Sequence, residues 1–232
     1  MCGKVRGNFA SAPAVWYLRR KREGIMRAFP SGDAWERERC PATEKEEGEM
    51  LMKLETTRLT LRTFEEKDAP GLLAMLERPG ASCFAEERLG SFGAALEEAR
   101  RRRSAREGTQ LAVCLKESGG IIGNVFSRQE GPDTWSVGWM LNERFQGRGY
   151  ASEAARAYVD FLFSRKGARR VYAYVEEGNL PSRRLCERLG MRKEACFVEF
   201  IAFRKDENGT PVYENTLVYA VLKREWGAEP AV

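Results

Sequence analysis

Residues 143–154 read "ERFQGRGYASEA": two glycines flank an arginine, and small residues then open a helical pattern. Ala151, Ala154, Ala155, Tyr158 and Leu162 recur on one helical face, and Gly167 ends the pattern. The start of a helix presents unpaired N–H groups and a positive dipole end, so a glycine turn placed there can wrap an anion. Three phosphate motifs can be tested against the stretch. The Walker loop G-x-x-x-x-G-K-[ST] is absent. The dinucleotide fingerprint fits poorly, because Ser152 replaces its third glycine and five residues separate Leu141 from Gly147. The pattern Q-x-x-G-x-G/A is met by Gln146, Gly149 and Ala151, and a second register, Arg144-x-x-Gly147-x-Gly149, also fits.

Working outward, "RLTLRTF" (58–64) alternates as a strand does. "EKDAPGLLAML" predicts a helix with Asp68 as N-cap and Pro70 in its first turn. "SFGAALEEARRRRSAREG" (91–108) predicts another, stopped by Gly108, its arginines complementing the dipole at the C-terminal end. That arginine run reads as a solvated helix end in preference to an RNA-binding patch. "TQLAVCLKE" and "IIGNVFSR" form a hairpin about "SGG", and "TWSVGWML" follows. Past the glycine turn and its helix come a strand, "RRVYAYVE", and a short helix, "NLPSRRLCERLG", capped by Asn179 and closed by Gly190. "CFVEFIAFRK" and "YENTLVYAVLKREW" flank Asn208-Gly209, a hairpin signal. This order predicts an α+β (mixed α/β) domain: one mixed, mostly antiparallel sheet of about seven strands flanked by about four helices.

Composition narrows the function. The chain has 232 residues, a net charge of +5, six scattered cysteines and no histidine. Acids alternate with bases, so no nucleic-acid partner is expected. No apolar run is long enough to span a membrane. With neither C-x-x-C nor histidine, no metal is expected, and the cysteines read as reduced thiols of a cytoplasmic protein. Residues 1–51 are charged and poorly patterned. They read as a weakly ordered extension before a domain at 52–232, with Met26, Met50 and Met52 as alternative starts. The sharper alternative is a docking or membrane-surface segment at "VWYLRRKR".

"VGWMLNERFQGRGYASEA" (137–154) resembles the central motif of the Gcn5-related N-acetyltransferase (GNAT) superfamily. "VYAYVEEGNLPSRRLCERLGM" resembles that family's next block, a strand followed by N-x-x-S and a helix. "LETTRLTLRTF" and "NTLVYAVLKREW" resemble the branch of ribosomal-protein N-terminal (Ala/Ser) acetyltransferases, and the likeness covers about residues 53–226. The resemblance implies a GNAT-like fold that uses acetyl-CoA. It implies a pyrophosphate site on Gln146, Gly147, Arg148, Gly149, Tyr150, Ala151 and Ser152. It implies that Trp139, Met140 and Leu141, on a strand splayed from its neighbour, pair with the pantetheine arm, and that Asn179 faces the cofactor.

Acetyl transfer needs a neutral amine and a proton for the departing thiolate. Near pH 7 roughly one α-amine in ten is neutral, against about one lysine in two thousand. A chain without histidine therefore suits an N-terminal amine, assisted by a carboxylate acting through water. Candidate bases are Glu176, Tyr174 and Glu199. The wider family's catalytic glutamate falls on Tyr174, a departure, whereas the ribosomal-protein branch implies Glu199. The family's acid tyrosine falls on Cys186, which reads as core packing, and the branch implies Ser182 near the CoA sulfur. The expected activity is direct acetyl transfer to a primary amine, in a monomer or homodimer, with a protein N-terminus preferred. The alternatives are a small amine such as an antibiotic or polyamine, and a non-catalytic acyl-CoA-binding module.

Overall fold

The computed structural model describes residues 52–79, 82–105 and 108–227. The extension assigned to 1–51 lies outside the described residues, apart from the boundary at Met52. Eight strands form one sheet: β1 (Lys53–Glu55), β2 (Leu59–Arg62), β3 (Gln110–Leu115), β4 (Ile121–Gly131), β5 (Thr134–Leu141), β6 (Arg170–Glu176), β7 (Arg192–Lys205) and β8 (Pro211–Leu222). Their spatial order is β1-β2-β3-β4-β5-β6-β8-β7. All neighbours are antiparallel except β5 and β6. The strand beyond the seven expected is β1. Its three residues are too short to show alternation, and Thr56 turns it back by donating its N–H to the Leu59 carbonyl (3.0 Å).

Among the described residues four α-helices cover the two faces: α1 (Ala69–Leu76), α2 (Phe92–Arg103), α3 (Tyr150–Ser164) and α4 (Leu180–Arg188). Side chains alternate across a strand, so one face of β2–β8 packs on α3 and α4 through Leu59, Leu111, Val137, Val171 and Leu217. The opposite face receives α1 and α2 around Phe64, Leu72, Leu76, Ala99 and Ala112. The parallel pair β5–β6 is the crossover that α3 bridges.

Two helix-end readings change. Asp68 does not cap α1. Its buried carboxylate is held by both terminal nitrogens of Arg62 (2.7 and 2.8 Å) and by the Glu65 N–H. Helix α2 ends at Arg103, ahead of Gly108, and Ser91 caps its start by accepting the Ala94 N–H (3.2 Å). Three arginines of the run are paired within the protein. Arg100 pairs with Glu66 and Glu97, Arg101 with Glu98, and buried Arg102 with Glu98 and Glu87. At the Asn208-Gly209 turn only Gly209 is left-handed, and the Asp206 carboxylate ties the loop to the N–H groups of Asn208 and Thr210.

Candidate active site

Strands β5 and β6 pair over only three residues, Thr134–Ser136 with Arg170–Tyr172. Beyond that β5 stays with β4 and β6 stays with β8, so the two diverge and a wedge opens. The bond from Asn142 N–H to the Ile122 carbonyl (2.8 Å) sets the antiparallel alternation. Met140 and Gly138 direct their backbone groups to β4, and Val137, Trp139 and Leu141 direct theirs into the wedge. Of the three residues that the resemblance implies for the pantetheine arm, Trp139 and Leu141 thus turn their backbone groups toward the wedge. Met140 contributes instead its side chain, packed beneath α1 and α2.

The wedge leads to the glycine turn. Gln146 follows a short 3-10 turn, Glu143–Phe145, whose start Asn142 caps. Gly147 and Gly149 both have left-handed φ, +75° and +80°, a region that favours glycine. The first bond of α3 runs from Glu153 N–H to the Gly149 carbonyl (3.0 Å). The N–H groups of Tyr150, Ala151 and Ser152 precede it and point out of the helix end. Arg148 and its neighbours 146–149 are exposed. This cradle fits a pyrophosphate.

One support for the cradle was not found from the sequence. The Arg58 guanidinium donates to the Arg148 carbonyl (3.0 Å), pairs with Glu153 (2.7 Å) and lies over the Tyr150 ring (4.5 Å). Thr56 Oγ1 donates to the same carboxylate (2.6 Å). Burial pushes the Glu153 carboxyl up, but the hydrogen bonds from Thr56 and Arg58 outweigh it and hold the group below its usual range. Arg188 reaches Ser152 Oγ (3.0 Å) from the end of α4.

Across the wedge, Asn179 caps α4 by accepting the Ser182 N–H (3.1 Å). Ser182 Oγ accepts the indole N–H of Trp139 (3.3 Å). An indole only donates, so the serine hydroxyl keeps its own proton to give elsewhere. Cys186 sits one turn further on, fully buried in the core, where burial pushes its thiol up to about 12.

Glu199 lies on the other side. It occupies a bulge in β7, is exposed and has φ +47°. Its carboxylate has no hydrogen bond or ion pair to any described residue, and its N–H is held by Asn215. The remaining candidate bases are otherwise engaged. Glu176 accepts the Cys83 N–H (2.9 Å), and Tyr174 packs edge-on to Tyr172 (5.3 Å) and beside Phe197 (6.4 Å). Burial raises the Tyr174 hydroxyl above its ordinary value, which disfavours it as a base. Phe200 continues the row of rings beyond Phe197 (5.0 Å). On the same face Thr216 is buried, 5% exposed, and its hydroxyl has no partner among the described residues. No contact joins Glu199 directly to Ser182. No metal-binding cluster occurs among the described residues, and no helix there is long and apolar enough to cross a membrane.

The chain matches the family description "Acetyltransferase (GNAT) domain" over residues 58–192. It is 28% identical over 182 residues to the uncharacterized N-acetyltransferase YnaD of Bacillus subtilis (strain 168), covering 75% of this chain and 99% of that one. The crystal structure of a GNAT-family acetyltransferase from Bacillus anthracis superposes with a TM-score of 0.66 at 25% identity, covering 75% of this chain and 100% of that chain. The ribosomal-protein-S5-alanine acetyltransferase from Vibrio fischeri shares the fold, with a TM-score of 0.58 at 16% identity over 76% of this chain and 100% of that chain. With the splayed strands and the glycine cradle, these matches identify the chain as an N-acetyltransferase belonging to the GNAT family.

Proposed function

We propose that the protein transfers the acetyl group of acetyl-CoA directly to a protein N-terminal α-amine. Bound acetyl-CoA supplies an electrophilic thioester carbonyl. The N–H groups of the glycine cradle hold the pyrophosphate, the dipole of α3 adding about 0.3–1 kcal/mol per favourable charge. The wedge-facing N–H groups of Trp139 and Leu141 stabilise the charge that builds on the carbonyl oxygen. Glu199 takes the proton of the attacking amine, through water. As the N–C bond forms and the C–S bond breaks, Ser182 gives its proton to the sulfur. Glu199 then releases that proton to solvent and the Ser182 oxygen takes one back from it, so both residues are restored and the cycle balances.

The observation that carries this reading is the Trp139–Ser182 bond. It spans the open side of β5 and leaves the serine proton free at the mouth of the wedge. The acceptor face adds support for the substrate class. In the chain Phe197 and Phe200 flank the bulge that carries Glu199, their rings continue the row from Tyr174, and Glu176 is already engaged. A face of rings suits one amine on a partly apolar body better than a polycation, which needs several free carboxylates. The likeness to the ribosomal-protein-S5-alanine acetyltransferase is in keeping with that class.

The test is thiol release from acetyl-CoA with peptides bearing a free N-terminal alanine or serine, and with polyamines and aminoglycosides. Turnover of the peptides that falls at least tenfold in both Glu199→Gln and Ser182→Ala supports the reading. Full activity in both variants removes the assigned roles. Tight acetyl-CoA binding without turnover of any amine leaves a binding module.

A further inference from the structure

Strand β7 carries an irregularity that its pairing partner does not share. Phe197 faces Thr216 and Ile201 faces Glu214, so residues 198, 199 and 200 stand opposite the single residue Asn215. Such a bulge interrupts the ladder and leaves backbone groups unpaired. At its centre Glu199 is the only left-handed non-glycine residue among the described residues. A backbone held in that region persists only where its surroundings over-determine it.

Asn215 supplies that determination. Its Oδ1 accepts the Glu199 N–H (2.8 Å), and its Nδ2 donates to Glu177 Oε2 (2.7 Å). Its carbonyl accepts the Glu177 N–H (2.9 Å). Glu177 begins the loop from β6 to α4, and two residues later Asn179 caps the helix that carries Ser182. One amide thus joins the bulge bearing Glu199 to the loop that places Ser182. Only an amide satisfies both ends, since one partner is a donor and the other a carboxylate. An aspartate would set two carboxylates against each other.

We propose that Asn215 is the positioning residue of this enzyme, locking Glu199 in its left-handed pose and fixing its carboxylate relative to Ser182. The proposal rests on the reading of Glu199 as proton acceptor. Neither Asn215 nor Glu177 touches the reacting atoms.

The test is a kinetic cycle on the full chain, using the peptide that gives the fastest thiol release. Asn215→Ala and Asn215→Asp are expected to lower kcat about tenfold, with KM for acetyl-CoA changed less than twofold. Adding Glu177→Gln to Asn215→Asp restores a donor facing the new carboxylate and is expected to return kcat to within about threefold of wild type. In a Glu199→Gln background, Asn215→Ala is expected to cost less than a further twofold, because both changes remove the same function. Thermal melts accompany each variant. If Asn215→Ala lowers the melting temperature but leaves kcat unchanged, the residue is structural and the proposal falls. If its effect multiplies with that of Glu199→Gln, or the swap fails to rescue a folded protein, the proposal also falls while the role of Glu199 stands. If Glu199→Gln alone leaves kcat unchanged, the reading of Glu199 falls and takes the clamp with it.

Discussion

Arg58 and Glu153 are paired across the base of the glycine turn. Arg58 Nε and Nη2 each lie 2.7 Å from Glu153 Oε2, and the Arg58 backbone N–H reaches Oε1 at 2.8 Å. Glu153 belongs to the first turn of α3, where its charge would repel a phosphate bound at the turn. Arg58 neutralises it and uses its remaining terminal nitrogen to pin the Arg148 carbonyl. The turn is therefore braced from β2 and can present its N–H groups preformed.

Removing the brace should weaken cofactor binding and spare the chemistry. Arg58→Ala is expected to raise KM for acetyl-CoA about tenfold, or about 1.4 kcal/mol, with kcat within twofold. Arg58→Lys is expected to recover little, since a single ammonium cannot hold carboxylate and carbonyl together. Steady-state kinetics at saturating peptide checks both, and an equal loss in kcat would place Arg58 in the chemical step.

The same pair sets a pH dependence of stability. The Glu153 carboxyl is depressed in the folded protein from a reference value of 4.5. Its contribution is therefore complete above that value and is lost as pH falls through the lower, folded one. The melting-temperature advantage of wild type over Glu153→Gln should be constant near neutrality and shrink below about pH 4.5. An advantage that stays flat down to pH 3 would contradict the assignment.

The parts of the site that could be read from the chain are those whose signals are local. Gly147, Gly149 and the small residues after them announce the cradle within a few positions. Asn179, Pro181 and Ser182 announce α4 in the same way. Arg58 could not be found, because its partner lies 95 residues away and a lone arginine at a strand start has no pattern. The bulge at Glu199 has no signature either: "FVEFIAF" looks like an unbroken apolar strand with one acid in it. Only the pairing with β8 shows that three residues, 198–200, stand opposite one, and only then does Asn215 acquire a role. The wedge-facing side of β5 has no signature for a related reason, since which backbone groups of Trp139, Met140 and Leu141 face the wedge depends on the register with β4.

The bulge also predicts an opposition between stability and rate. A left-handed non-glycine residue costs about 1 kcal/mol or more. Glu199→Gly should relieve most of that and raise the melting temperature, while losing the carboxylate and slowing turnover at least tenfold. Glu199→Ala keeps the strain and should show the loss of rate without the gain. Thermal melts beside single-turnover rates separate the two, and a destabilised glycine variant would argue against strain at this position.

Thr216 offers a second such contrast. Paired with Phe197 across the strands, it buries a hydroxyl that has no partner among the described residues, so Thr216→Val removes an unsatisfied group at similar volume. Stability should hold or rise, by up to about 1 kcal/mol. If the hydroxyl receives the acceptor, KM for the peptide should rise several-fold with KM for acetyl-CoA unchanged. An unaltered peptide KM would remove Thr216 from the acceptor site.

The dependence of rate on pH distinguishes the acceptor classes most directly. An α-amine titrates near 7.7–8.0 and a lysine side chain near 10.4. The enzyme has no histidine to impose its own transition around neutrality. With an N-terminal peptide, kcat/KM should therefore climb about tenfold per pH unit below about 7 and level off above about 8. With a lysine or polyamine acceptor the climb should continue past pH 9. Repeating the profile in Glu199→Gln sharpens the comparison. Losing the carboxylate should lower the whole curve without moving its inflection, because the inflection belongs to the substrate amine. A shift of the inflection in that variant would mean that Glu199 binds the protonated amine and does not accept its proton.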